Sequence, residues 1–369
     1  MIVKQLKLVN YRNYSDIELN FSDKYNVFYG DNAQGKTNII ESVFFCASGR
    51  SHRASRDNEL VKIGENNFYI KIEIENGDYD CTIEIGYDRK NKKIKINQNP
   101  IRKLADLMGH LKAVFFSPED LSILKAGPSE RRRFIDITLS QLKPVYFYNL
   151  QQYYKVLAQR NNLLKKAQGR KDLLDTLDIW NENLATIGSN IILERNKFIN
   201  TLYHYTMENH EKLTNRHEKL EVRYSPSIKA GEYNDLNDIK KQFHKQLEKL
   251  KNSEILSGVT LCGPQRDDLD ILLNGNNIKI YGSQGQQRTA VLSMKLATID
   301  VIEKETGKKP ILLLDDVMSE LDEKRRRYLY ENMDNVQTFI TTTDRNLVED
   351  SVLANGKIFR VENGTVTED

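Results

Sequence analysis

Cysteine is scarce in this chain, with Cys46, Cys81 and Cys262 the only three among 369 residues. None belongs to a CxxC pair or has a histidine at ligand spacing, which excludes a disulfide scaffold and a zinc ribbon and leaves buried reduced thiols. The six histidines show no HExxH spacing, so no zinc-type catalytic centre is expected. No stretch approaches the roughly 20 apolar residues of a membrane span. The opening segment MIVKQLKLVNYRNY lacks an apolar core of signal-peptide length with a cleavage site, and a cytoplasmic chain is expected. An excess of either charge is missing too: 55 Lys and Arg stand against 52 Asp and Glu, a net charge of +3. Such a balance neither argues for nor excludes a nucleic-acid partner, because binding needs a local basic patch. Repeats and low-complexity segments are absent. The length favours one large domain with an insertion, or two ordinary domains.

What is present is a change of period along the chain. Ile17, Leu19 and Phe21 alternate at period two, as do Ile70, Ile72, Ile74 and, beyond the turn ENGD, Cys81, Ile83, Ile85. These predict half-buried antiparallel strands, and Asn76-Gly77 between them predicts a hairpin. From Tyr146 the apolar positions step by three or four through Leu150, Tyr153, Leu157 and Leu164. After Gly169 they run from Leu173 through Leu177, Trp180, Leu184, Ile187 and Ile191 to Tyr205, and a third run spans Leu236 to Leu250. These are amphipathic helices, the second about 45 residues and roughly 65 Å long. Strands are expected again after Ser257, at Leu269, Ile271 and Leu273, then, after an NGNN turn, at Ile278 and Ile280. The expected organisation is an α/β body of residues 1–117 and 255–369 with mixed sheets, interrupted by an all-helical insertion, 118–254, that forms a short antiparallel arm.

Gly30-Asp31-Asn32-Ala33-Gln34-Gly35-Lys36-Thr37 satisfies G-x-x-x-x-G-K-[ST], with the apolar strand YNVFYG, 25–30, running into it and a helix from about Lys36 after it. The glycines let backbone N–H groups turn toward phosphates, Lys36 reaches the β/γ-phosphates, and the Thr37 hydroxyl ligates Mg²⁺. A chance glycine-rich turn is the competing reading. Ile311-Leu312-Leu313-Leu314-Asp315-Asp316 has no alternation, which predicts a strand buried on both faces with its carboxylates at the ligand edge of a parallel sheet. Asp315 is then expected to hold Mg²⁺ through water, and Asp316 to orient or deprotonate the attacking water. An ordinary strand end with a solvated aspartate is the alternative. SQGQQRTAV, from Ser283, opens an apolar helix with hydroxyl and amide groups, either a ready anion site or a satisfied helix cap.

YGDNAQGKTNIIES, GRSHRASRD, FSPEDLSILKAGPSERRRFID, GPQRDDL, YGSQGQQR, LLLDDVMSELD and TTTD, spread over nearly the whole chain, together resemble the head domain of the ABC-type ATPases. The likeness is to the branch that contains the SMC proteins and their DNA-repair relatives. It implies ATP and Mg²⁺ as cofactors and a cradle that runs through Asn38 and includes Arg12. It also implies that Ser283, Gly285 and Gln286 form a signature motif closing over ATP held by a second copy. The implied activity is a weak, DNA-dependent ATPase that acts as a switch: an ATP-driven homodimer clamps gapped or junction DNA and promotes loading of the recombinase RecA with RecO and RecR.

The pattern departs from transporter-type members at Asp316, where they carry glutamate, and at Thr343, where they carry histidine; slow turnover is the implication. Gln265 stands where the branch suggests histidine. The alternative of a transporter's nucleotide-binding subunit fits poorly with about 130 residues of bundle. An SMC-type tether needs far longer arms, and a nucleotide kinase has no use for SQGQQR. Ser319-Glu320-Leu321-Asp322 is read both as an interface loop and as a helix start. Arg50, His52, Arg53 and Arg56 face either nucleotide, DNA or solvent, and Arg131, Arg132 and Arg133 are read as structural ahead of DNA contact. The tyrosines of YFYNLQQYY are read as bundle core, and Ser117 to Asp120 marks the region of a Q-loop.

Overall fold

The computed structural model describes residues 1–77, 80–167, 175–333 and 335–369. Asp78 of the ENGD turn, and Gly169 and Leu173 of the second helical run, lie outside the described residues. The chain divides into two compact units, Met1–Leu121 with Lys295–Asp369, and Ser122–Met294.

The first unit holds two six-stranded sheets. One is antiparallel, in the order β2 (Tyr14–Asn20), β1 (Ile2–Tyr11), β4 (Phe68–Glu75), β5 (Asp80–Tyr87), β6 (Lys92–Ile96) and β7 (Asn99–Pro100). Its register follows from the alternation: Ile70 faces Ile85, Ile72 faces Ile83 and Ile74 faces Cys81, all buried on one side. The other sheet runs β15 (Thr365–Glu368), β14 (Gly356–Glu362), β3 (Tyr25–Tyr29), β13 (Thr338–Thr342), β12 (Ile311–Asp315) and β8 (Ala113–Phe116). All its pairs are parallel except β14 with β15. Every residue of β12 and β13 is buried, and the four aliphatic residues that open β12 are the unbroken apolar run that the centre of a parallel sheet requires. Phe21, Phe28, Phe339 and Phe359 form its aromatic core, with Phe21 edge-on to Phe339 at 4.8 Å and Phe28 stacked on Phe359 at 5.0 Å. The Gln337 amide joins the sheets through Val3, accepting from its N–H and donating to its carbonyl, each at 2.7 Å. Helix α1 (Lys36–Ser48) follows β3.

In the second unit α2 (Ser122–Lys125) precedes α3 (Pro128–Leu142), which starts on a proline where the missing N–H costs nothing. Helices α4 (Pro144–Ala167), α5 (Leu177–Thr214) and α6 (Leu236–Ser257) pack together. With 38 residues α5 is about 57 Å long. Tyr146, Phe147 and Tyr153 are core residues, whereas Tyr148 and Tyr154 are exposed. One strand interrupts the helical run: β9 (Leu220–Ser225) pairs antiparallel with β10 (Asp268–Leu273), which continues to β11 (Asn276–Asn277). This pairing ties residues beyond 254 to the helices, so the unit extends past the expected insertion to Met294.

The NGNN turn forms with positive φ at Asn274 and Gly275. The strand expected at Ile278 and Ile280 does not. Ile278–Tyr281 is a helical turn, α7, because the Asn277 side chain accepts from the Lys279 N–H and caps it. Helix α8 (Gln284–Thr306) then spans the boundary between the units. The remaining helices, α9 (Glu323–Asn332) and α10 (Asp350–Ala354), belong to the first unit. Cys46, Cys81 and Cys262 are buried and free, and burial pushes the Cys262 thiol up to about 12. Among the described residues no helix is long and apolar enough to cross a membrane.

Candidate functional site

Strand β3 delivers the chain into Gly30–Gly35 and α1 takes it out. Gly30 has φ 149° and Gly35 φ 117°, conformations that side chains rarely adopt. Space forbids a side chain as well: a Cβ on Gly30 would lie 2.3 Å from the Val361 carbonyl oxygen, and one on Gly35 2.4 Å from Asn13 Nδ2. Lys36 is buried, and its Nζ donates to the carbonyls of Gly30 at 2.6 Å and Asp31 at 2.7 Å, inside the curve of the loop. Burial pulls its pKa down against the attraction of Asp316, Asp315 and Asp31.

The acidic end of β12 meets the start of α1. Thr37 Oγ1 donates to Asp315 Oδ1 at 2.7 Å, and Thr341 Oγ1 on β13 donates to the same oxygen at 2.7 Å. Burial raises the Asp315 pKa by more than these hydroxyls and Arg53 lower it. A threonine hydroxyl touching a carboxylate is an all-oxygen donor pair, the kind that Mg²⁺ takes. Asp316 sits at φ 50°, a strained turn that aspartate tolerates, fixed by its N–H donating to Thr341 Oγ1 at 3.1 Å. Its Oδ1 is buried with no hydrogen-bond partner among the described residues. Burial raises its pKa, opposed by Lys36 and reinforced by Glu320. An unpaired carboxylate oxygen beside a phosphate-type loop is positioned to accept a proton.

Arg12 and Arg53 both bind Glu41, a fully buried carboxylate on α1. Arg12 donates through Nε and Nη2 at 2.9 Å each, Arg53 through Nη2 at 3.1 Å, and Ser51 Oγ at 2.5 Å. Arg53 also donates to Asn38 Oδ1 at 2.8 Å, Asn38 to Asn13 Oδ1 at 2.9 Å, and Asn13 to the Gln34 carbonyl at 2.7 Å. The network braces the loop from outside. Glu41 and Asn13 did not stand out in the sequence, although a carboxylate between Ile39, Ile40, Val43 and Phe44 is itself a signal. Arg50 and Arg56 are exposed, and the His52 ring lies against Phe115 with centroids 3.9 Å apart. Asp120, in the Q-loop region, is held by Lys295 at 2.7 Å. Ser319 Oγ donates to the Asp316 carbonyl at 2.8 Å, and Asp322 caps α9 by accepting from the Arg325 N–H.

In the second unit Ser283 caps α8. Its Oγ accepts from the Gln286 N–H at 3.3 Å while Gln286 Oε1 accepts from the Ser283 N–H at 2.9 Å, a reciprocal capping box. Gly285 is half-buried at the same helix start. Ser283 is exposed, and the cap uses its oxygen as acceptor, not its proton. Arg131 grips Asp268 through Nε at 2.6 Å and Nη2 at 3.0 Å, and Arg132 donates to the Asp267 carbonyl at 2.7 Å, both structural roles. Gln265 accepts from the buried Tyr153 hydroxyl and donates to the Cys262 carbonyl at 2.8 Å.

A family model described as RecF/RecN/SMC N terminal domain matches residues 2–367. The DNA replication and repair protein RecF of Acetivibrio thermocellus is 52% identical over 365 residues, 99% of each chain. A solved structure of the recombination mediator protein RecF-ATP in the RecFOR pathway is 39% identical. It superposes with a TM-score of 0.93 over 100% of this chain and 97% of the other. The SMC head domain of Pyrococcus furiosus, 16% identical over 100% of this chain and 96% of its own, shares the fold with a TM-score of 0.55.

Proposed function

Because the chain belongs to the RecF family of DNA replication and repair proteins, within the RecF/RecN/SMC group, we propose that it is an ATP-dependent DNA-binding switch. The carrying observation is the contact of Thr37 with Asp315 at the mouth of a loop that already encloses Lys36, with an unpaired Asp316 oxygen beside it. The RecF-ATP likeness supports ATP as the nucleotide. Backbone N–H groups of residues 30–38 cradle the phosphates, and Lys36 leaves its two carbonyls for the β/γ-phosphates. Arg12 contacts the nucleotide with the guanidinium N–H groups that Glu41 and the Glu59 carbonyl leave over. Thr37 and Asp315 are the residues to hold Mg²⁺, which would neutralise charge on the phosphate oxygens.

Asp316 orients water for attack on the γ-phosphorus and takes its proton as the bond to the β-phosphate oxygen breaks and ADP leaves. An aspartate here, with no histidine at Thr343, suits a slow, DNA-stimulated ATPase. Ser283, Gly285 and Gln286 complete the site of a second copy: the Ser283 proton and the N–H groups at the start of α8 are donors for a γ-phosphate. ATP thereby joins two copies of the chain. The dimer holds gapped or junction DNA in the cytoplasm and, with RecR and RecO, promotes RecA loading.

Two variants test the shared site. Lys36→Ala is expected to abolish ATP binding and Ser283→Arg to block closure over the partner's nucleotide, so each fails alone. Mixed, they form one intact composite site per heterodimer. ATP-dependent association of two differently labelled chains should therefore recover. No heterodimer above the level of either variant alone sinks the shared-site reading, and wild-type ATP affinity in Lys36→Ala sinks the phosphate-loop reading.

A further inference from the structure

The Gln286 side chain has both ends engaged. Besides its Oε1 bond to the Ser283 N–H, its Nε2 donates to Glu218 Oε1 at 2.8 Å. Glu218 lies in the segment between the end of α5 and the start of β9, far from Gln286 in sequence. Its other oxygen, Oε2, is 3.3 Å from Nε2 of His210, a fully buried residue in the last turns of α5. The opposite ring nitrogen, Nδ1, is 3.2 Å from Ser293 Oγ, and that hydroxyl donates to the Thr289 carbonyl on α8 at 2.8 Å. Glu218 and His210 thus join the end of α5 and the segment after it to the first turns of α8 at two points.

A primary amide can be turned end for end with almost no change of shape, so its partners decide which end points where. A carboxylate only accepts. Glu218 therefore requires Nε2 to face it, and Oε1 is left facing the Ser283 N–H, the one orientation that closes the capping box. With Glu218 removed Nε2 has lost its acceptor, the amide is held at one end only, and the cap opens more readily. Ser283 then loses the geometry that aims its hydroxyl and the neighbouring N–H groups outward.

We propose that Glu218 is a positioning residue for the nucleotide-closing motif, setting the Gln286 amide so that Ser283 is presented to the ATP of a second copy. The inference rests on the shared-site reading above and adds to it a residue outside the motif. It also makes the end of α5 part of the apparatus that closes the dimer.

The test uses full-length chains and differently labelled partners. Glu218→Ala should weaken ATP-dependent homodimerisation roughly tenfold, the loss expected for one charge-assisted hydrogen bond. Its own ATP binding and thermal midpoint should stay near wild type. Glu218→Gln can still accept from Nε2 but, able to donate as well, no longer dictates which end of the Gln286 amide faces it, so it should restore only part of what Glu218→Ala loses. No restoration at all would assign the defect to the lost charge and overturn the amide-setting role. In mixtures, Glu218→Ala should be complemented by Lys36→Ala, whose motif is intact, and not by Ser283→Arg, which shares the defect. Wild-type dimerisation by Glu218→Ala, loss of its own ATP binding, or complementation by Ser283→Arg overturns the proposal. Gln286→Met keeps a helix-forming side chain of similar length and should reproduce the defect should Glu218→Ala fail to fold; normal dimerisation by Gln286→Met likewise overturns it. If Lys36→Ala and Ser283→Arg do not complement each other, the shared-site reading fails first. If they do and Glu218→Ala behaves as wild type, only the positioning role fails.

Discussion

A carboxylate at zero exposure is costly unless its lone pairs are met, and Glu41 meets them with Arg12, Arg53 and Ser51. Burial pushes its pKa up. The Arg12 hydrogen bonds, the Arg53 charge and the Ser51 hydroxyl push it down further, leaving it lowered from 4.5 to about 2. A depressed carboxylate contributes stability that is present above its unfolded value and lost as pH falls through the folded one. For Glu41 the window runs from about 4.5 down to about 2, and the shift corresponds to about 3 kcal/mol. Glu41→Gln keeps the shape without the charge. In urea unfolding it should be less stable than wild type by about 2–3 kcal/mol at pH 7, with the gap shrinking below pH 4.5 as wild type loses its advantage. A gap independent of pH between 6 and 3 would show that the charge is not what holds the arginines. The phosphate loop was legible because its residues are consecutive and their spacing is the signal. Glu41 was not, because its meaning comes from Arg12 and Arg53, which only the fold brings to it.

At the scale of elements, period served well where one partner face dominates. The helices α4, α5 and α6, the alternating β4 and β5, and the unbroken β12 all follow from it. It failed where a short element is set by a cap: Ile278 and Ile280 alternate like a strand, yet Ile280 is exposed and Asn277 turns the segment into helix. It also missed β9, whose alternating Leu220, Val222 and Tyr224 sit between Lys, Glu and Arg and pair with β10 some 50 residues on. Packing of α5 depends on a position that hydropathy cannot show. A Cβ on Gly188 would lie 2.6 Å from Phe243 of α6 and 3.0 Å from Tyr153 of α4. Alanine in a helix is favoured over glycine by about 1 kcal/mol, but forcing a methyl into a filled contact costs about 1–3 kcal/mol. Gly188→Ala should therefore destabilise the protein by about 1 kcal/mol in urea unfolding. A gain in stability would mean that the aromatic rings yield easily and that the helices are not close-packed there.

For the whole molecule, a net charge of +3 leaves no general attraction to DNA, so the proposed switch must draw any retention from basic residues gathered locally and used together. The proposed switch gathers them by joining two copies, and the dependence on ATP and the dependence on salt then become one experiment. When salt is doubled from 0.1 to 0.2 M, a dimer that contacts about four phosphates more than a monomer should lose on the order of tenfold more DNA affinity than the monomer loses, because each neutralised phosphate releases counterions. That steep dependence should appear with ATP in the wild-type protein. Without ATP, and in Lys36→Ala with or without it, binding should be weaker and its salt slope shallower, since a single copy offers fewer contacts. Direct base reading would add affinity that salt does not remove, so the slope separates phosphate contact from sequence readout. Nitrocellulose retention of a gapped duplex across a salt series, with and without ATP, measures both at once. Equal slopes with and without nucleotide would mean that ATP does not change the number of phosphates held, and dimerisation could not then be how this protein grips DNA.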